Sequence, residues 1–253
     1  MDEATLSRDA FLGGRLMLCQ PKRGYRAGVD PVLLAASVPA KPGQSLLDLG
    51  CGVGTAALCA GMRVPGLVLA GVERQADHAA LAIRNASLNG LEMEVFTGDL
   101  AELPAALRQR QFDHVIANPP YFRRDASVAG PDPSREAAYG EATPLDIWVA
   151  AAARRTAPGG TVTFIHRAER LPELLTAFAA RLGSLELKPL VPRRGRESQL
   201  ALLRGRKGGR AAFRLHDGLL VHAGDSYGGR ADYTPLAAAI LRGESALEFH
   251  AAR

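Results

Sequence analysis

At 253 residues, 47% of them hydrophobic, the chain can bury about three quarters of its unfolded surface, room for one α/β catalytic domain with a small appendage. Its three cysteines, Cys19, Cys51 and Cys59, form no CxxC pair and have no histidine cluster near them in the sequence, which excludes a disulfide scaffold or zinc ribbon and predicts buried thiols in a reducing compartment. The formal charge of +5 is concentrated, with ten Lys and Arg against Glu186 and Glu197 between Arg181 and Arg214, a composition that suits either a solvated face or a surface that meets a polyanion.

The opening residues, MDEATLSRDAFLGG, carry acids where a signal peptide is basic, and no apolar run reaches membrane-spanning length. A cytoplasmic chain without a membrane segment is expected. Residues 1–44 read as a helical and loop extension that covers the active site. It holds a basic, glycine-punctuated segment over 20–28 and an apolar helix over 31–38, begun by a proline where a helix tolerates one.

From Ser45 onward, short apolar runs alternate with alanine-rich helical stretches, the pattern of a parallel sheet covered on both faces. Strands are expected at 45–49, 67–72, 92–97 and 112–117, with helices at 53–61, 75–89 and 101–107. Residues 123–139 hold Gly130, Pro131 and Pro133 without a clear period, as a surface loop or a pocket wall would. A helix at 143–155, a strand at 161–166 and a helix at 170–180 follow. Strands at 185–191 and 199–204 are separated by a short stretch containing Pro192 and Gly195, which makes them antiparallel neighbours. The expected fold is α/β: a Rossmann-like seven-stranded sheet over 45–204 with helices on both faces and the final strand antiparallel. Residues 205–253 read as a hairpin (213–216 with 219–222) and a last helix from about Pro235 to Leu241, packed on the catalytic domain.

At the end of the first strand stands Asp48-Leu49-Gly50-Cys51-Gly52-Val53-Gly54. Glycines there permit left-handed backbone and let a ligand approach main-chain atoms. The third glycine comes one residue earlier than in a dinucleotide fingerprint, and Asp48 would repel a pyrophosphate. A carboxylate at this place suits a cationic ligand that carries an ammonium and a sulfonium. Glu73 ends the second strand, where its two oxygens can receive both hydroxyls of a ribose, and Asp99 follows the third, where it can accept from an adenine amine. Parallel strands gather these ends on one edge, so the three acids share one crevice. The adjoining Cys51, Arg74 and Leu100 belong to the same turns and are further candidates for cofactor binding.

The fourth strand delivers Asn118-Pro119-Pro120-Tyr121 to that crevice. Two successive prolines lock the chain and keep its polar groups aimed. An amine conjugated to a ring, or a carboxamide, is a poor nucleophile because its lone pair is delocalised. Its hydrogens can be held by the Asn118 side-chain oxygen and the Pro119 carbonyl, while Tyr121 stacks on the planar group and Phe122 extends that wall. This chemistry needs no metal.

The spacing from Asp48 to Gly54, with Glu73, Asp99 and the fourth-strand tetrapeptide, resembles the class I S-adenosylmethionine-dependent methyltransferases over 45–204. The resemblance implies S-adenosylmethionine as cofactor, with Gly50 and Gly52 at its methionine part, Glu73 at the ribose and Asp99 at the adenine, and Gly54 as a further cofactor-binding candidate in the same turn. The tetrapeptide is similar to the signature shared by adenine-N6, cytosine-N4 and glutamine-N5 methyltransferases, and does not choose between them.

Two further blocks, QPKRGYRAGVDPVLLAA and VHAGDSYGGRADYTPLAAAILRG, resemble bacterial enzymes that methylate N6 of adenine 37 in valine tRNA, although the 224–230 loop is longer than that family leads one to expect. The resemblance implies that Asp30 faces the cofactor's ammonium, the alternative being a helix cap. It also implies tRNA as the partner. Lys22, Arg23, Arg26, Phe122, Arg123, Arg124, Arg193, Arg194 and Arg196 are the candidates for contact with it. An adenine of ribosomal RNA, a protein glutamine, and a non-enzymatic RNA-binding scaffold remain as alternatives, and monomer and homodimer both stay open. Trp148 reads as core; His166, His216 and His222 read as structural, without metal-ligand spacing.

Overall fold

The computed structural model of the chain describes residues 3–24, 26–123, 140–141, 143–224 and 232–250. An antiparallel hairpin opens it, β1 (Leu6–Phe11) pairing with β2 (Leu16–Pro21) from Leu6↔Pro21 to Phe11↔Leu16. The expected helical and loop character of residues 1–44 is corrected here. Alternation in β1 is weak, and what makes β2 a strand lies far away in sequence. Helix α3 (Ala76–Leu88) and its C-cap present two asparagines one turn apart to the open edge of β2. The Asn85 Oδ1 accepts from the Cys19 N–H at 2.8 Å and its Nδ2 donates to the Cys19 carbonyl at 3.1 Å. Asn89 does the same for Met17, at 2.8 Å each way. Buried backbone groups require partners, and here two amide side chains act as the missing neighbour strand.

Between hairpin and sheet lies α1 (Asp30–Ser37), begun by Pro31 in its first turn and buried from Pro31 to Ser37. The sheet then runs β3 (Ser45–Leu49), α2 (Thr55–Arg63), β4 (Val68–Glu73), α3, β5 (Met93–Thr97), α4 (Ala105–Arg108), β6 (Phe112–Ala117). Two short parallel strands, β7 (Phe122–Arg123) and β8 (Gly140–Glu141), form their own pair. After them come α5 (Leu145–Arg155), β9 (Thr156–Arg167), α6 (Leu171–Ala179), β10 (Gly183–Val191) and β11 (Leu200–Arg206). The strand order is β10-β11-β9-β6-β3-β4-β5, with β11 antiparallel to both of its neighbours and the remainder parallel. This is the expected seven-stranded Rossmann-like sheet. β9 is longer than the 161–166 stretch and starts at Thr156, across a register shift against β6.

Both faces are covered, as the near-continuous apolar strands require. Leu46, Ile116, Ile165 and Leu202 pack against α1 and α2. Leu47, Leu49, Val115, Val162 and Phe164 pack against Trp148, Val149, Leu174 and Phe178 of α5 and α6. Fully buried leucines and phenylalanines of this kind contribute about 1.5–3 kcal/mol each.

The tail departs from its expected form. β12 (Arg214–Leu215) and β13 (Leu219–Leu220) do not pair with each other; both lie parallel along β10, at Glu186↔Arg214 and Leu190↔Leu219. They extend the sheet's edge to nine strands in all among the described residues. Helix α7 (Pro235–Leu241) is capped by Thr234, whose hydroxyl accepts from the Ala237 N–H at 3.2 Å. Leu247 and Phe249 are buried behind it, with the Leu247 N–H on the Ala36 carbonyl at 2.9 Å.

Arg193 belongs to this tail. Its side chain is only 8% exposed, paired with Asp232 and donating to the Gly224 carbonyl at 2.5 Å, so the sequence-based assignment of Arg193 to a phosphate is corrected. This guanidinium ties Gly224 and Asp232 to the β10–β11 turn. Arg193→Ala is therefore expected to lower the melting temperature by on the order of 5 °C, because the half-buried Asp232 carboxylate loses its partner. Thermal unfolding by circular dichroism checks this; an unchanged midpoint would return Arg193 to the surface.

Candidate active site

The sheet reverses its strand order at β3. The chain proceeds outward through β4 and β5, then returns to lay β6 on the other side of β3, and ligands bind at the carboxyl ends of strands beside such a switch point. Register makes this concrete: Leu49 of β3 is paired with Ala117 of β6. The next residues, Gly50 and Asn118, consequently emerge side by side. Gly50, Gly52, Glu73, Asp99, Asn118, Pro119 and Tyr121 line one cleft, together with Asp48, Cys51, Arg74 and Leu100.

Gly50 adopts φ +66°, and a Cβ there would lie 2.6 Å from the Trp148 ring. Only glycine accommodates both the left-handed backbone and the indole behind it. At Gly52, with φ +55°, a Cβ would meet nothing within 4 Å. The space beside it is the cleft itself. Gly54 then ends the turn as the residue preceding α2.

Asp48 is 3% exposed and accepts from the Ala57 N–H of the first turn of α2 at 3.3 Å. Burial pushes its carboxyl up to about 8; the helix amide lowers it and the charge of Glu73 raises it further. Glu73 is buried as well, but its two oxygens already accept, from the Gly52 N–H at 3.0 Å and the Gln75 N–H at 2.8 Å. A diol can reach only the second lone pair on each oxygen, so the expectation that both are open is narrowed. Asp99 Oδ1 accepts from the Ala101 N–H at 2.8 Å.

Asp30 stands apart. It is not among the residues lining the cleft; its Oδ2 accepts from the Tyr121 hydroxyl at 2.5 Å. Burial raises its carboxyl, while that hydrogen bond and the charge of Arg167 lower it. The sequence reading did not anticipate this bond to the fourth-strand motif. His166, read as structural, is fully buried at the end of β9, which outruns β6 at this edge, and its ring meets the Tyr121 ring edge-on at 5.5 Å.

Sequence reasoning passed over Gln20, Trp148 and Thr143 as cleft residues. Gln20 fell within a basic block already singled out. Its side chain accepts from the Ala27 N–H at 2.8 Å and donates to Asp9 at 3.0 Å, pinning the segment that carries Ala27 and Pro31 over the cleft. Trp148 is core, as expected, and also the cleft's back wall, a double role that helical periodicity does not reveal.

Of the basic candidates, Lys22 and Arg23 are exposed just past β2, Lys22 donating to the Ala4 carbonyl at 2.8 Å. Arg26 is paired with Asp9 at 2.7 Å and so is already engaged. Arg194 and Arg196 are exposed in the turn between β10 and β11, at the same sheet edge as Asn118. Arg124 and the side chains of Phe122 and Arg123 lie outside the described residues, as does most of 123–139. His216, placed by sequence without metal partners, meets Glu186 and His250, their donor atoms within 4.8 Å of one another. Arg214 holds the same Glu186 oxygen at 2.6 Å, so the cluster is a charge clasp on the tail.

Residues 27–130 match the model of the methyltransferase small domain. A tRNA1(Val) (adenine(37)-N6)-methyltransferase of Actinobacillus succinogenes is 31% identical over 199 residues, covering 77% of this chain and 82% of the relative. The chain belongs to that family of methyltransferases. A protein of the same name from Yersinia enterocolitica is 34% identical over 131 residues, so that the match spans about half of either chain, 51% of each. Among solved structures, a predicted O-methyltransferase of Agrobacterium tumefaciens superimposes with a TM-score of 0.70 at 26% identity, over 87% of this chain and 98% of that one. The family's cofactor is S-adenosylmethionine, and the site suits it: a buried carboxyl, Asp48, that a cationic group would favour in its ionised form and, at Gly52, open space where a Cβ would otherwise stand.

Proposed function

We propose that this methyltransferase modifies the exocyclic N6 of an unpaired adenine in tRNA, adenine 37 of valine tRNA, the base in the names of its relatives. One observation carries the reading: the Leu49↔Ala117 pairing brings the glycine turn and the Asn118 elbow into one cleft. The relevant adenine in an anticodon loop can be turned out cheaply, since it gives up no base pair.

Bound S-adenosylmethionine supplies an electrophilic methyl on a sulfonium. The rest is done by the chain. Asp48 sits where it can accept from the cationic end of the cofactor, and Glu73 and Asp99 sit at the next two strand tips, toward ribose and adenine. Asn118 Oδ1 and the Pro119 carbonyl accept the two hydrogens of the target amine, which aims its lone pair along the line of displacement. Tyr121 stacks on the base. His166 is given no proton-transfer role: it is fully buried, its Nδ1 is occupied by the Arg167 N–H, and burial and then the charge of Arg170 hold its pKa down to about 4. The proton lost from the methylated amine passes to water.

Exposed Lys22, Arg23, Arg194 and Arg196 are the described residues we assign to the tRNA backbone. Arg194→Ala with Arg196→Ala is expected to reduce the slope of log binding constant against log salt by about 1.5 while leaving the melting temperature unchanged. A filter-binding salt titration checks it, and an unaltered slope would remove these arginines from the RNA surface. Among the described residues no helix is long and apolar enough to cross a membrane, which fits a cytoplasmic site of action on tRNA.

The central test supplies methyl-labelled cofactor and offers unmodified tRNA, ribosomal RNA and release factor side by side. Label is expected in tRNA, at the adenine beside the anticodon when the modified nucleotide is mapped. Label confined to a protein glutamine or to ribosomal RNA would overturn the reading.

A further inference from the structure

Tyr121 is held from two sides by residues outside its own motif. From one side the Asp30 carboxylate, on the first turn of α1, accepts its hydroxyl at 2.5 Å. From the other, the buried His166 ring meets it edge-on with centroids 5.5 Å apart. His166 is itself pinned: its Nδ1 accepts from the Arg167 N–H at 2.8 Å, which leaves the ring proton on Nε2. Two segments far apart in the chain, around Asp30 and around His166, therefore converge on the one ring of the elbow.

A ring that only needs to be aromatic would need none of this. Stacking tolerates sliding, whereas methyl transfer to a delocalised nitrogen demands alignment, and a misplacement of about 1 Å can cost a hundredfold. A hydroxyl anchored at the far end of the ring and a T-shaped neighbour 5.5 Å away restrict the movements that would misalign a stacked base.

We propose that Asp30 and His166 are positioning residues that set the plane of the Tyr121 ring, so that the amino-terminal extension, through Asp30, completes the pocket for the acceptor base. This rests on the reading of Tyr121 as the stacking wall. It gives Asp30 a role different from a cofactor ligand, and it makes the extension part of the acceptor pocket rather than a cover alone.

Tyr121→Phe keeps the ring and deletes the anchor, and Asp30→Ala deletes the other partner. Each is expected to lower the single-turnover rate by about ten- to hundredfold, with the Kd for S-adenosylmethionine unchanged. The double variant should be no slower than either single, since both remove one interaction. Asp30→Asn, whose side-chain oxygen still accepts the hydroxyl, should retain most of the rate, and His166→Ala should lose rate without losing cofactor affinity. A wild-type rate in Tyr121→Phe, multiplicative losses in the double variant, or an Asp30→Ala whose cofactor affinity falls in proportion to its rate would overturn the proposal; a wild-type rate in His166→Ala would overturn the part that concerns His166. The same cycle read in thermal unfolding, without substrate, should show Asp30 and Tyr121 coupled. That readout separates failure of this inference from failure of the tRNA assignment, because label appearing in another acceptor leaves the cycle intact.

Discussion

Asn118→Ala is expected to lower single-turnover methyl transfer by about a hundred- to a thousandfold while the cofactor Kd stays within about twofold. The asymmetry follows from what the side chain does. An exocyclic adenine amine lends its lone pair to the ring, and two fixed acceptors are needed to hold its hydrogens where the lone pair points at the methyl. Asn118 supplies one from a side chain and Pro119 the other from a carbonyl that two prolines hold still. Loss of one aligned polar contact in a water-poor cleft is worth this much, because it acts on the transition state more than on the bound ground state. Asn118→Asp keeps an acceptor and is expected to fall between wild type and alanine. Isothermal titration with the cofactor and quenched-flow transfer to tRNA separate the two quantities. Full turnover in a folded Asn118→Ala protein would remove the residue from the chemistry.

The second large effect belongs to Asp48. With its carboxyl pushed up to about 8 by burial first and by Glu73 last of the three causes, it is mostly protonated at neutral pH before the cofactor arrives. A cationic ligand demands the ionised form, so binding releases a proton below pH 8 and affinity should rise with pH up to that point, by at most about tenfold per unit. Asp48→Asn should weaken binding by about ten- to a hundredfold above pH 8, the value of a charge-assisted hydrogen bond, and the two proteins should converge toward pH 6. Taking the ratio of their dissociation constants at each pH cancels titration of the ligand's own amine.

Stability should run the other way. A carboxyl whose folded pKa lies above its unfolded value binds more protons folded than unfolded between about pH 4 and 8, so the unliganded protein loses stability as pH rises through that window. Asp48→Asn, which retains an acceptor for the Ala57 amide, should therefore melt at a higher temperature than wild type at pH 8, with the difference gone near pH 4. Equal pH profiles for the two proteins would show that Asp48 does not titrate in this range.

Both effects attach to residues that a reader of the sequence can pick out, and the reason is local. Apolar runs of five or six residues, alanine-rich helical stretches and the glycine turn are short-range patterns, so β3, β4, β5 and β6 fall within about one residue of their expected bounds. Acids at the tips of successive parallel strands must share an edge whatever the rest of the chain does. The same reasoning fails where a residue's partner is distant. β1 and β2 carry too little alternation to declare themselves, and their edge is completed by Asn85 and Asn89, more than sixty positions away. β12 and β13 look like a hairpin because a tight turn separates two short runs, yet an open edge of β10 competes for both and wins.

Arginines show the divide most plainly. Arg193, Arg194 and Arg196 are indistinguishable by composition, and all three sit in one turn. Among the described residues only the first has an acid, Asp232, brought to it by the tail, and it alone of the three is buried.

The sequence by itself thus determined the α/β class, the seven-stranded sheet and the two motifs at its carboxyl edge, because periodicity and turn chemistry act over a few residues. Only the tertiary structure decided which charges are exposed, that Asp30 bonds Tyr121 across 91 positions of chain, and that Trp148 backs the glycine turn. Such contacts depend on where packing brings distant segments together, and no local pattern records that.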